Sequence, residues 1–340
     1  MKIGVILKPT VCNAAYRALA PMLMLGAQGH EIVWAKPTPG WRFPLRELLV
    51  CDVVHIYRCL DEPSVMKGVQ ELRRRNVPLT WDDDDDLRLV PPATPGYKEH
   101  YGGINRERGT RQQTAMLSKV DLVTTTTPAL ADLFRTRFDG PIEIIENYLE
   151  SDQYASGRRG RDGVTIGWVA CLEHTADVEQ LGLTATLRNV LARDERIRIT
   201  TVGVQLDLDS SRYTHVKRVQ FPDLPQFLAG LDIGIAPIAD HPMSYARSNV
   251  KVKEYAAAGV PWVASTRGQY AELGAKAGGI TVADDGWEQA LLDLAGSRLK
   301  RMRLRRNAES WARSQHLRRH VGRWEAALRT AMEVADRRAA

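Results

Sequence analysis

The stretch Ser248-Asn-Val-Lys-Val-Lys-Glu-Tyr-Ala-Ala-Ala-Gly-Val-Pro-Trp-Val-Ala-Ser265 decides how this chain is read. Ser248 and Asn249 are residue types that cap helix starts. The spacing predicts a helix over Val250–Ala258 that stops at Gly259, and Val260 leads at once into a strand over Pro261–Ala264. A helix closed by glycine and running straight into a short apolar strand is one α/β unit of a parallel sheet covered on both faces. The open N–H groups and positive dipole end of such a helix favour a phosphate. Lys251 lies one turn inside the helix, where its ammonium reinforces that preference. Glu254 is placed to accept hydrogen bonds from vicinal hydroxyls, as acidic residues do for ribose in dinucleotide folds. The competing reading is an amphipathic helix with solvated lysines.

Working outward, the same alternation fills the chain. Strands are predicted at Lys2–Leu7, Glu31–Ala35, Val53–Tyr57, Val77–Trp81, Asp121–Thr125 and Ile142–Ile145. Between them, helices fit Ala14–Gln28 (closed by Gly29), Pro63–Arg75, Glu107–Lys119 and Ala129–Phe138. The polar, glycine-bearing run 151–163 reads as a linker. The pattern restarts with strands at Val164–Val169, Ile197–Val202 and Ile233–Pro237, with helices from Val178 and at Leu224–Gly230. From Asp285 onward the chain reads as helix. Trp311, Leu317, Val321, Trp324 and Leu328 form an apolar stripe expected to pack back on the body. The expected domains are residues 1–150 and 164–310, with 311–340 as the returning helix.

Bulk properties narrow the classes. A chain of 340 residues suggests two domains. No apolar run approaches the roughly 20 residues that span a bilayer, and the first apolar stretch ends at Lys8-Pro9, too soon for a secretion signal. Cys12, Cys51, Cys59 and Cys171 show neither a CxxC pair nor zinc spacing, so reduced, mostly buried thiols in a cytoplasmic protein are expected. Net charge is +6, yet 13 Lys/Arg against 4 Asp/Glu fall between Arg298 and the end. That basic segment suits anionic lipid at a membrane surface, or DNA, or is simply a solvated helix face.

At Glu254 and the following Tyr-Ala-Ala-Ala-Gly-Val-Pro-Trp-Val-Ala-Ser the chain resembles the retaining GT-B glycosyltransferases of the family 4 type. Those proteins carry Glu-x7-Glu followed by Ala-x-Ala-x-Gly-x-Pro-Val-Val-Ala. Glu254 matches the second Glu, whereas Ala246 stands at the first. Arg247, Ser248, Lys251, Glu254 and Tyr255 fit a sub-branch reading roughly Lys-Ser-x-x-Lys-x-x-Glu-Tyr-Ala. Ile166-Gly-Trp-Val-Ala-Cys-Leu-Glu-His-Thr-Ala-Asp177 resembles the same sub-branch's Ile-Gly-x-x-Gly…His-x-x-Asp element, with Ala170 in place of the second glycine. Trp81 followed by Asp82 to Asp86 resembles its Tyr/Trp-Asp-x-Asp-Asp-Leu segment. The N-terminal loop 8–13 lacks the glycine pair of many members.

The resemblance implies an α/β chain of GT-B architecture, two Rossmann-like doubly wound domains facing a cleft, with C-terminal helices packing back. It implies transfer from a nucleoside diphosphate sugar to an acceptor hydroxyl, with retention and with no obligatory metal. Gly167, Trp168, Asp177, Arg247, Ser248, Asn249 and Glu254 would contact the donor, Gly167 by allowing close backbone approach. Lys251, Asp85 and His174 are the candidate catalytic groups. His174 would donate to a diphosphate oxygen, and Asp177 would cap the helix or orient the imidazole. Asp84 and Asp85 would orient the acceptor hydroxyl, accept its proton or bind a cation, unless the acidic run is only a solvated loop. An envelope saccharide or lipid-linked glycan is the expected acceptor. A hydroxylated base in DNA is the alternative, and a non-catalytic nucleotide-sugar-binding protein is the reading from a different class.

Overall fold

A computed structural model describes residues 1–7, 13–36, 43–59, 63–154 and 163–340. Cys12, nearly all of the 8–13 loop and most of the expected 151–163 linker lie outside them. The chain divides into two compact units, Met1–Arg88 with Lys98–Asn147 and Leu317–Ala340, and Leu89–Tyr97 with Tyr148–His316.

The first unit is built on six parallel strands: β1 (Lys2–Leu7), β2 (Glu31–Ala35), β3 (Val53–Tyr57), β4 (Leu79–Asp82), β5 (Leu122–Thr125) and β6 (Ile142–Ile144). Their order is β2-β1-β3-β4-β5-β6. The central strands β1, β3, β4 and β5 are short runs buried along nearly their whole length, as a sheet covered by helices on both faces requires, whereas the edge strands β2 and β6 are partly exposed. The helix expected over Ala14–Gln28 is present, but it opens with a π-helical turn, Ala15–Leu19, before the α-helix Ala20–Ala27. Pro21 has no N–H to offer the Arg17 carbonyl. That carbonyl accepts instead from Trp324 Nε1 at 3.3 Å. The last helix, Gly322–Ala339, therefore seals this unit, with Trp324, Ala327, Leu328, Ala331 and Ala335 buried. Arg338 binds Asn76 at 2.7 Å and also pairs with Asp121.

The second unit holds β7 (Val164–Ala170), β8 (Ile197–Gly203), β9 (Tyr213–Val216), β10 (Ile233–Ala236), β11 (Trp262–Ser265) and β12 (Gly279–Val282), again all parallel. In sheet order they run β12-β11-β10-β7-β8-β9. Counted within the unit and read from β9, this is 3-2-1-4-5-6, the dinucleotide-binding order, whose direction of winding reverses between β7 and β10. The edge strands β9 and β12 were not anticipated, because both are brief and half-exposed and carry little periodic signal. Gly182, at φ 56°, splits the helix expected from Val178 into Thr175–Gln180 and Leu183–Arg193.

The apolar stripe proposed for the C-terminus needs correction. Leu317, Val321, Trp324 and Leu328 are buried and belong to the first unit, whereas half-buried Trp311 sits on helix Arg298–Ser314 of the second. Cys171 is exposed, unlike buried Cys51 and Cys59, so the expectation of buried thiols fails there. No helix among the described residues is long and apolar enough to cross a membrane.

Candidate functional site

In a sheet of this order, ligands bind beyond the carboxyl ends of the strands where the winding reverses. In the second unit those ends are Ala170 of β7 and Ala236 of β10. The chain after β7 makes a short turn, Leu172–His174, into helix Thr175–Gln180. The chain after β10 passes through Pro242–Ala246 to helix Val250–Ala257. His174, Asp177, Arg247 and Lys251 converge between these segments.

Asp177 is the hub. Its Oδ2 lies 2.7 Å from His174 Nδ1 and 2.9 Å from Arg247 Nη1, and its Oδ1 accepts from the Ala239 amide at 2.8 Å. Burial opposes the charge on Asp177, but the His174 hydrogen bond, Arg247 and the Ala239 amide outweigh it and hold the carboxyl below its ordinary range. His174 Nδ1 also lies 3.0 Å from Arg247 Nη1, so this nitrogen stands between an acceptor and a donor. Burial and the neighbouring Arg247 push His174 down to about 4. At neutral pH the ring is therefore uncharged, with a proton on one nitrogen and a lone pair on the other. Asp177 orients the imidazole rather than capping the helix, since it stands inside the first turn.

The depressed His174 value has a consequence for stability. Between about pH 6.5 and pH 4 the unfolded chain binds a proton that the folded chain does not, so stability falls as pH falls through that window. The expected loss is on the order of 2–3 kcal/mol. Urea midpoints at pH 7 and pH 4.5 should separate clearly for the native chain and much less for His174→Asn. Equal separation in both would exclude His174 as the source.

Lys251 is half-buried and its Nζ donates to the Val169 carbonyl at the end of β7. Burial lowers its pKa, and Glu254, one turn further along the helix, acts in the opposite direction. Lys253 is wholly buried, its ammonium 4.5 Å from the centre of the Tyr148 ring. The two lysines are thus not a solvated helix face. Asn249 is the N-cap residue by position, but its side chain makes no capping hydrogen bond.

Gly167 and Trp168 are engaged in packing at the same strand. A β-carbon at Gly167 would lie 2.4 Å from Leu231, so this glycine makes room for the side chain that precedes β10. Trp168 is fully buried in the core, packed edge-on against the His174 ring at 5.7 Å, and its contribution is to position that ring. The glycine that does govern the carboxyl edge is Gly203, at φ 82°, where a β-carbon would lie 1.9 Å from the Ala170 carbonyl oxygen. Tyr255 ties the two strands at the reversal together, its hydroxyl donating to Ile235 O at 2.9 Å and lying 3.4 Å from Gly167 O.

The acidic run lies in the first unit at the end of β4 and is neither solvated nor an open carboxylate cluster. Arg17, fully buried, grips Asp82 with Nε at 3.0 Å and Nη2 at 2.7 Å. Asp84 accepts from Asn13 at 2.6 Å, Tyr57 at 2.9 Å and Arg58 at 2.7 Å. With three donors on it, Asp84 orders its neighbours rather than standing free as a base. Asp85, 2.8 Å from Arg58 Nη2, keeps a quarter of its side chain exposed. Arg88 clamps Asp86. Asp83 is pushed up to about 8 by burial, with Asp84 and Asp85 adding to the effect against the pull of Arg58. Its Oδ1 lies 3.0 Å from Arg58 Nε. Among the described residues no group of three or more His, Cys, Asp or Glu side chains is placed to hold a metal ion.

Of the candidate residues, the structure gathers His174, Asp177, Arg247 and Lys251, with Glu254 next to them along the helix. Asp84 and Asp85 form a separate cluster in the other unit. The arginines that neutralise the acidic run, Arg17 and Arg58, were not anticipated.

Solved structures place this architecture. The chain aligns over 97% of its length with 98% of a sucrose-phosphate synthase from Thermosynechococcus elongatus, at 13% identity and a TM-score of 0.68. The fold is GT-B. An alpha-glucosyltransferase solved with UDP and a 13-mer DNA containing an HMU base aligns over 96% of this chain and 99% of its own, at 9% identity and a TM-score of 0.66. Anabaena HepE, solved with UDP and glucose, covers 97% of this GT-B chain and 100% of its own, at 14% identity and a TM-score of 0.59. No protein-family model matches the chain. No curated protein matches it in sequence.

Proposed function

We propose that the chain is a glycosyltransferase that takes its sugar from a nucleoside diphosphate sugar bound by the second unit. The observation that carries this reading is the meeting of Arg247 and Lys251, two cations, with an uncharged His174 at the carboxyl ends of β7 and β10. Diphosphate would bind Lys251, Arg247 and the start of helix Val250–Ala257, with ribose on Glu254. As the bond between the anomeric carbon and the phosphate oxygen breaks, its electron pair leaves on the diphosphate. Cations already held in place stabilise that charge without reorganising. The uncharged His174 ring offers a hydrogen bond to a diphosphate oxygen or a sugar hydroxyl. Two neighbours of the same fold, HepE and the alpha-glucosyltransferase, were solved with UDP, which supports a uridine donor. The family resemblance supports retention of configuration.

Glu254→Ala should weaken donor binding about ten- to hundredfold, the loss expected for a charge-assisted hydrogen bond. Calorimetric titration with UDP checks this, and unchanged affinity would remove ribose from Glu254. For the acceptor, a saccharide or lipid-linked glycan is the first reading. DNA is the second, favoured by the exposed Arg298, Lys300, Arg303, Arg306 and Arg313 on helix Arg298–Ser314. Steep weakening of duplex binding with salt would support DNA, whereas sedimentation with anionic vesicles would support a lipid-linked glycan.

A further inference from the structure

Between the end of β10 and helix Val250–Ala257 the second unit carries a second histidine, which takes no part in the hydrogen bonds around Asp177. His241 is the N-cap residue of the short helix Pro242–Ala246, and its Nδ1 accepts from the Met243 amide at 3.1 Å. A backbone N–H only donates, so Nδ1 holds the lone pair and the proton of the ring lies on Nε2. The same cap disfavours a charged ring, because a proton on Nδ1 would face the Met243 N–H. Burial and Arg247 lower the His241 pKa further, against the pull of Asp177. At neutral pH the ring therefore presents one N–H donor, on Nε2, and no acceptor among the described residues meets it.

The segment that carries this donor is fixed at successive points. The Ile238 amide donates to Ser265 Oγ at 2.9 Å, and the Ala239 amide to Asp177 Oδ1 at 2.8 Å. Asp240 accepts from the Tyr245 hydroxyl at 2.9 Å. Met243 Sδ lies 3.6 Å from Arg247 Nη2. His241 thus stands between two residues that touch the Asp177–Arg247 pair, one bonded to Asp177 and the other lying against Arg247. The residue is half-buried, so its position is held while its edge stays open to a ligand.

We propose that His241 is a further donor-contacting residue, its Nε2 donating to a hydroxyl oxygen of the sugar in the nucleoside diphosphate sugar. This rests on the transferase reading of the same site. The charge of a diphosphate is already met by Arg247 and Lys251. A neutral, singly directed N–H adds little to that attraction. It suits an uncharged oxygen whose position differs from one sugar to the next, where a few placed polar groups set specificity. The two cations then hold what all such donors share, and His241 tells their sugars apart.

Calorimetric titration of the full chain with UDP-glucose, UDP-N-acetylglucosamine, GDP-mannose and ADP-glucose, each beside its free diphosphate, tests the assignment. His241→Asn keeps an acceptor for the Met243 amide, since asparagine is a good N-cap, and carries nothing where Nε2 stood. The nucleotide sugar that the native chain binds best should bind this variant about three- to tenfold more weakly, the loss expected for one neutral hydrogen bond. Its free diphosphate should keep its affinity, which also shows that the variant is folded. Unchanged binding of the nucleotide sugar overturns the proposal. An equal loss with the free diphosphate overturns it as well, because the ring then serves the phosphates. A native chain that binds none of these ligands defeats the donor reading, and this one with it, whereas a native chain that binds them and loses nothing in His241→Asn defeats this one alone.

Discussion

Lys251→Ala is expected to lower sugar transfer by about two to three orders of magnitude, the cost of removing one preorganised group that faces developing negative charge. The ammonium is held against the Val169 carbonyl at the end of β7. It is half-buried, so water screens it incompletely. Its interaction with diphosphate strengthens as the leaving group gains charge, which places most of the loss in kcat rather than KM. The fold should survive, because Lys251 gives up one backbone contact, and buried Asp177 keeps Arg247 as its cation. Arg247→Ala is a less clean test, since it strips a partner from buried Asp177. Initial rates with a donor chosen by thermal-shift screening decide the matter, and a Lys251→Ala enzyme as fast as the native one would end the assignment.

Arg17→Ala should destabilise the first unit by about 3–5 kcal/mol, the usual result of stranding one member of a buried ion pair. Neither side chain of the Arg17–Asp82 pair is exposed. Arg17 also reaches the Ile145 carbonyl and lies 3.3 Å from Asn147 Oδ1, joining the helix after β1 to the end of β6. Its raised pKa reflects burial outweighed by Asp82, with Asp84 contributing, so it stays charged at any ordinary pH. Desolvation of the two ions offsets much of their attraction. The double variant Arg17→Met with Asp82→Leu should accordingly regain most of the stability. Urea unfolding of the three chains checks both statements. A loss below about 1 kcal/mol for Arg17→Ala would mean that Asp82 finds another partner or takes up a proton.

What could be read from the residues follows from where local signals are strong. Continuous apolar runs such as Lys2–Leu7 and Val53–Tyr57 identify central strands, and the 248–265 stretch locates helix Val250–Ala257 and the strand that follows it. Lys251 and Glu254 were legible because they sit at fixed offsets from a helix start. His174 and Asp177 were legible as a pair, but not their shared partner Arg247, which arrives from 70 residues away. Gly167 and Gly203 look alike in a sequence, and only their neighbours distinguish packing against Leu231 from close approach to Ala170. The acidic run could be seen but not interpreted, since its neutralising partners Arg17 and Arg58 carry no local mark. Trp168 was misplaced for a related reason. Period-two alternation tells which residues share a face, not which face meets the ligand.

The closing of the first unit by helix Gly322–Ala339 bears on how the protein emerges from the ribosome. Residues Met1–Asn147 leave the exit tunnel without the tryptophan that covers the Arg17 carbonyl, and the whole of Tyr148–His316 must be synthesised first. At roughly 5–20 residues per second that interval is on the order of ten to thirty seconds. During it the nascent N-terminal half is left with bare apolar surface, and the C-terminal half is free to reach its native state first. A nascent chain stalled before Leu317 should therefore present a protease-sensitive N-terminal half beside a resistant C-terminal one.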